Sequence, residues 1–148
     1  MRYLFLILTI VAVNAFAQTD EAGAKSAIDN LFSGMKKNDT ALIRSAFVAN
    51  PILQTILRNK EGKVEIMSEP LDSFLLSISH PHTEVYDERI TFDAIRIDAD
   101  LAMVWAPYKF YLGDKFSHCG VDSFQLVKQN GIWKILYLVD TRRRQNCE

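Results

Sequence analysis

The sequence predicts an α+β fold in which three helices in the first half pack against a cone of curved antiparallel strands. Three observations predict it. Apolar residues recur at helical spacing from Ala24 to Met35. From Glu84 onward the hydrophobic period changes to two. Asn130-Gly131 separates two alternating apolar runs, the strongest short-range hairpin signal a sequence carries. Helical patterns precede the strands rather than alternating with them, which argues against a doubly wound parallel sheet. Long antiparallel strands covered on one face should curl into a cone whose mouth and lining can receive a ligand.

With 148 residues, 49% of them hydrophobic and 24% charged, the chain can bury one sizeable core. Its formal charge of −1 gives no electrostatic case for nucleic acid or an acidic membrane surface. Residues 1–17 have the pattern of a signal peptide. Arg2 supplies a positive start, Tyr3 to Val13 an apolar run, and Ala15-Phe16-Ala17 a small-x-small cleavage site. That run is too short for a comfortable membrane span, which needs about 20 residues. The expectation is a secreted or periplasmic protein whose folded domain is 18–148, with no membrane contact after cleavage.

Asp20 to Lys37 carries Ala24, Ala27, Ile28, Leu31, Phe32 and Met35 on one face, an amphipathic helix with lysines at its C-terminal end. Asp39 caps a short second helix through Leu42, Ile43, Ala46 and Phe47, which Asn50-Pro51 should end. Ile52–Leu57 and Lys63–Met67 flank a polar turn and read as a hairpin. Pro70 opens a third helix bearing Leu71, Phe74, Leu75 and Ile78, broken at His80-Pro81-His82. Glu88 to Ile97 reads as one strand. Three more strands follow, giving α-α-β-β-α-β-β-β-β in a single domain.

The last three strands hold the candidate site residues. With the Asn130-Gly131 turn as a simple hairpin, His118 faces Arg143, Cys119 faces Arg142 and Asp122 faces Val139. His118 and Asp122 share a strand face, but four residues along a strand is about 13 Å, so they can line one cavity without forming a hydrogen-bonded dyad. A carboxylate beside Phe124, Leu126, Ile135 and Tyr137 needs a raised pKa or a buried partner; the alternative is that Asp122 is a surface residue. Trp105, Tyr108 and Tyr111 are residue types found more often in a core or an interface than stacked on a ligand, and a ligand wall is the alternative. Arg142-Arg143-Arg144 is split by strand alternation, leaving Arg143 either a solvated strand end or an anchor for an anionic group. Cys119 and Cys147 can form a disulfide in an oxidising compartment if the tail folds back, and are otherwise two thiols. His80, His82, His118 and Cys119 lack metal-site spacing, so no metal is expected.

The runs Trp105-Ala-Pro-Tyr-Lys-Phe-Tyr-Leu-Gly-Asp114, Ser117-His-Cys-Gly-Val-Asp-Ser-Phe-Gln-Leu126, Gly131-Ile-Trp-Lys-Ile135 and Asp140-Thr-Arg-Arg143 resemble the nuclear transport factor 2-like superfamily. Within it they resemble the putative lumazine-binding group, and the resemblance covers essentially 18–148. The superfamily includes ketosteroid isomerase, scytalone dehydratase and SnoaL-like polyketide cyclases, so the resemblance implies a fold more than a reaction. The isomerase pattern of a carboxylate base facing a phenol and a protonated acid is not matched: the first helix offers Phe32 and no tyrosine.

Three functions follow as expectations. The first is a small-molecule binder with a pocket lined by Trp105, Tyr108, Tyr111, His118, Asp122 and Arg143, needing no cofactor. The second is a dehydratase, isomerase or cyclase with His118 or Asp122 as general base. The third is an interaction module, a homodimer formed through the open sheet face. No phosphate loop, nucleophile elbow or nucleic-acid motif occurs.

Overall fold

The computed structural model describes residues 10–81 and 83–147, with side chains from Asp20 onward. The signal-peptide reading therefore falls largely outside the described residues, as does His82. The elements run α1 (Ile10–Lys37), α2 (Thr40–Ala46), β1 (Phe47–Arg58), β2 (Val64–Ser68), α3 (Leu71–Ser79), β3 (Tyr86–Ile90), β4 (Ala94–Asp98), β5 (Leu101–Leu112), β6 (Lys115–Gln129) and β7 (Ile132–Thr141). Three helices lie against a curved, unclosed mixed sheet of seven strands. No helix among the described residues is long and apolar enough to cross a membrane.

The helical stripe of α1 is the expected one. Ala24, Ala27, Ile28, Leu31, Phe32 and Met35 are all buried. Gly34 is required where α1 meets α2, because a Cβ there would lie 2.5 Å from Ile43 Cγ1. Asp39 caps α2 by accepting the Leu42 N–H at 2.9 Å. That helix ends at Ala46, earlier than expected, and Asn50-Pro51 lies inside β1. Pro70 stands immediately before α3, whose Leu71, Leu75 and Ile78 are buried.

The sheet order is β2-β1-β7-β6-β5-β3, with β4 also paired to β5. The pairings are antiparallel except that β1 runs parallel to β7. The single strand expected over Glu88–Ile97 is two, β3 and β4, which take successive stretches of β5 and leave Thr91-Phe92-Asp93 between them.

One irregularity changes the site. The hairpin starts in the expected register, with Gln129 opposite Ile132 and Lys128 opposite Trp133 across a left-handed Asn130-Gly131 turn. Leu126 then faces Ile135, but Gln125 faces Tyr137, so Leu136 is an extra residue in β7. Such a bulge moves every later pair by one residue and exchanges its faces. Asp122 therefore lies opposite Asp140 rather than Val139, and Cys119 opposite Arg143 rather than Arg142.

Candidate functional site

Strand alternation puts residues of one parity on the concave face. On β5 these include Ala102, Val104, Ala106 and Tyr108; on β6, Leu126, Phe124, Asp122 and His118; on β7 beyond the bulge, Leu138 and Asp140. Toward the Asn130-Gly131 end this face is filled by the buried Phe124, Leu126 and Ile135. Toward the other end it opens into a cavity of about 490 Å³. Leu31, Phe32 and Met35 of α1 and Phe74 and Ile78 of α3 form apolar wall. The polar floor comes from the sheet: Thr55, Glu88, Tyr108, His118, Asp122 and Asp140, with Arg142 at one side.

The floor is built around carboxyls. Asp140 Oδ1 accepts a hydrogen bond from Thr55 Oγ1 at 2.5 Å, a contact made possible by the parallel pairing of those two residues. The Tyr108 hydroxyl lies 3.1 Å from Asp140 Oδ2 and 3.0 Å from the Thr141 carbonyl. Arg142 Nε stands 3.9 Å from Asp140 Oδ2, with half its side chain exposed. Asp122 is 3% exposed, and its Oδ2 is buried with no hydrogen-bond partner.

Burial and like charges hold protons on this floor. Burial lifts the Glu88 carboxyl to about 7; its hydrogen bond with Asp122 pulls the other way, and the Asp140 charge adds to the rise. Asp122 is pushed well above the usual carboxylate range by burial, then by the charges of Glu88 and Asp140. The two titrate as a pair that retains a proton at neutral pH. Burial, then the charges of Arg142 and Arg144, lower His118 to about 4, so its imidazole is neutral at pH 7. Burial and the neighbouring carboxylates raise the Tyr108 phenol, which stays protonated. The floor thus offers shared-proton carboxyls and a neutral imidazole under apolar walls. Such a set can hydrogen-bond a polar ligand head or move a proton.

Among the residues read from sequence, Tyr108, His118 and Asp122 meet at this cavity. Trp105, Tyr111 and Arg143 do not line it. Trp105 alternates with the buried Val104 and Ala106, which turns it to the other face at 43% exposure. Tyr111 follows a second irregularity in the β5–β6 pairing and packs edge-on to Phe116, with the Arg89 guanidinium over its ring. Arg143 is turned outward by the bulge; its backbone pairs with Cys119 and its Nε donates to the Asn146 carbonyl. The chain then reverses at Asn146, whose φ is 54°, and Cys147 is joined to Cys119 in a disulfide. Gly120 permits the tail's close approach, because a Cβ there would lie 1.7 Å from the Thr141 carbonyl oxygen.

Glu88, Asp140, Arg142 and Thr55 were not singled out from sequence. Glu88 had a usable signal, since it stands two residues before Ile90 on an inward-facing strand. Among the described residues, no group of three or more His, Cys, Asp or Glu could hold a metal ion. Cys119 is taken by the disulfide, and His80 is exposed at the end of α3.

A family model described as "Putative lumazine-binding" matches residues 19–139. The chain belongs to that family. Comparison with curated proteins finds no match. Solved structures described as nuclear transport factor 2-like share the fold of this member of the putative lumazine-binding family. A Mycobacterium tuberculosis protein of unknown function is 14% identical with a TM-score of 0.72, covering 95% of this chain and 80% of its own. A nuclear transport factor 2-like protein of unknown function from Shewanella baltica is 16% identical with a TM-score of 0.63, covering 86% and 96%. A Streptomyces avermitilis protein described as a putative dehydratase from the nuclear transport factor 2-like family is 13% identical with a TM-score of 0.65, covering 86% and 98%. At these identities the likeness is one of fold.

Proposed function

We propose that the protein is an exported small-molecule-binding module. Its ligand lies in the cavity between the helices and the concave sheet face, apolar body against Phe32 and Phe74 and polar head toward Glu88, Asp122 and Asp140. The observation that carries this reading is the cavity itself, about 490 Å³ in volume and floored by the unpaired Asp122 Oδ2. Leaving a buried polar atom unpaired costs about 1–3 kcal/mol, which a ligand hydrogen bond would recover. Thermal-shift and calorimetric screening against flat heterocycles, with a Phe74→Trp variant that fills the wall, tests it. Ligands should raise Tm in the native protein and lose at least tenfold in affinity in the variant. Equal affinity in both would remove the cavity from the reading.

The leader pattern of residues 1–17 and the Cys119–Cys147 disulfide support export. Mass spectrometry of secreted protein should give a chain beginning at Gln18. The exposed Trp105 and Leu136 on the sheet support self-association. Light scattering that stays monomeric at all concentrations would contradict it.

A second reading, an enzyme of the dehydratase, isomerase or cyclase kind, is favoured by the lift of Glu88 to about 7 beside Asp122. The likeness to the Streptomyces avermitilis protein, itself described as a putative dehydratase, points the same way. His118, lowered to about 4, is a weak base at neutral pH, so that role passes to Glu88 with Asp122 as acid. Glu88→Gln should abolish dehydration of any β-hydroxy carbonyl substrate found, while His118→Asn keeps most of it. The opposite pattern would return the role to His118.

A further inference from the structure

The polar groups around the cavity are unequal in sign. Thr55 spends its hydroxyl on Asp140, and Tyr108 divides its own between Asp140 and the Thr141 carbonyl. The Gln54 amide donates to Ser68 and accepts from Tyr137. Ser77 donates to the Phe74 carbonyl, and His118 Nδ1 is paired with Ser117 Oγ. Among the described residues, the buried side-chain polar atom without a hydrogen-bond partner is a carboxyl oxygen, Asp122 Oδ2, in a residue 3% exposed. The same cavity is lined by Glu88 from β3, Tyr108 from β5, His118 from β6, Asp140 from β7 and Glu69 from the β2–α3 connection. The segments of α1 and α3 that face it bring no charge. Among the described residues, Arg142 is the one guanidinium lining the cavity; it leans on Asp140 and is half-exposed.

We propose that the cavity selects an organic cation bearing N–H donors, of the amidinium or protonated-amine class, on a flat apolar body. The inference rests on the cavity being the ligand site and adds the chemical class of what fills it. Asp122 Oδ2 accepts the ligand N–H, Glu88 lies beside that bond, and Asp140 supplies further negative potential. Leu31, Phe32 and Phe74 cover the apolar body. The desolvation that holds protons on Glu88 and Asp122 is offset once a cation enters. Binding therefore drives a proton off the pair, and affinity rises with pH.

Calorimetry with 2-naphthamidine, 2-naphthamide and 2-naphthoate, three near-isosteres of different charge, tests this between pH 5.5 and 8. At pH 8 the amidine should bind at least tenfold tighter than the amide, with naphthoate weakest. The advantage should shrink several-fold at pH 5.5, and the amidine enthalpy should vary with buffer ionisation as protons are released. Asp122→Asn should cost the amidine at least tenfold while moving the amide less than threefold. Arg142→Gln should tighten the amidine several-fold, a gain that misfolding would not produce. Amide or naphthoate binding as tightly as the amidine, or a preference that ignores pH, would overturn the proposal while leaving the cavity as a ligand site. If none of the three binds and the heterocycle screen is also empty, both readings fall.

Discussion

Two halves of one sheet face behave differently. Near Asn130-Gly131, β5, β6 and β7 point Ala102, Val104, Phe124, Leu126 and Ile135 into a filled core, each at 0% exposure. A few residues further along the same strands, the same face carries Tyr108, Asp122, His118 and Asp140 around open space. Phe124 and Asp122 are neighbours on that face, two residues apart. Alternation decides which side a residue faces; the helices above decide whether it meets packed side chains or a cavity. The filled half carries stability, and the hollow half holds buried ionisable groups that cost stability.

The largest test of that contrast lies in the filled half. Phe124 packs edge-on to Phe32 with ring centroids 6.2 Å apart, and Phe124→Ala should cost about 3–5 kcal/mol in chemical denaturation. In the hollow half the isosteric Asp122→Asn should leave stability equal or raised at pH 8, because it removes a buried group that resists ionisation.

The disulfide comes next. It joins cysteines 28 residues apart, so Cys147→Ser should cost about 3–4 kcal/mol by the chain-entropy account. The loss should be larger in thermal melts of oxidised than of reduced protein. A variant that melts with the native protein under both conditions would mean that the tail adds nothing.

Two pH dependences follow in size. Glu88 rises from 4.5 to about 7 on folding, so its stabilising protonation is complete below about 4.5 and lost as pH climbs through 7. His118 falls from 6.5 to about 4, so its effect is the reverse, a loss as pH drops from 6.5 toward 4. Each is on the order of 1–3 kcal/mol, and they oppose one another between about 4.5 and 6.5. Glu88→Gln should expose the histidine limb, with stability rising from pH 4 to 6.5. His118→Asn should expose the carboxyl limb, with stability falling from pH 4.5 to 7. The smallest effect belongs to Trp105, exposed on the opposite face: Trp105→Ser should move monomer stability by no more than about 0.5 kcal/mol.

The fold was legible because its signals are local. The α1 stripe, the Asp39 cap, Pro70 before α3 and the Asn130-Gly131 turn each act within a few residues. The site was legible only in part, because its assembly is not local. Tyr108, His118 and Asp122 could be read from strand alternation within the final meander. Thr55 reaches Asp140 through a parallel pairing between the first and last strands, which no turn announces. Asp140 went unread and Arg142 was placed on the wrong face because of a single inserted residue, Leu136, inside the apolar run Ile135-Leu-Tyr-Leu138, where alternation gives no cue to a bulge. The same slip made Arg143 look inward and Arg142 outward.

The proton held between Glu88 and Asp122 is what most sets the hollow half of the sheet apart from the filled half. Carboxyl carbon-13 titration of the two residues, read against Glu88→Gln and Asp122→Asn for assignment, tests it directly. Both should titrate above the ordinary carboxylate range, Glu88 near 7, and each should shift when the other is replaced. Two independent midpoints in the ordinary carboxylate range would contradict it, since the floor would then be solvated and the two halves of the sheet would not differ in the way described.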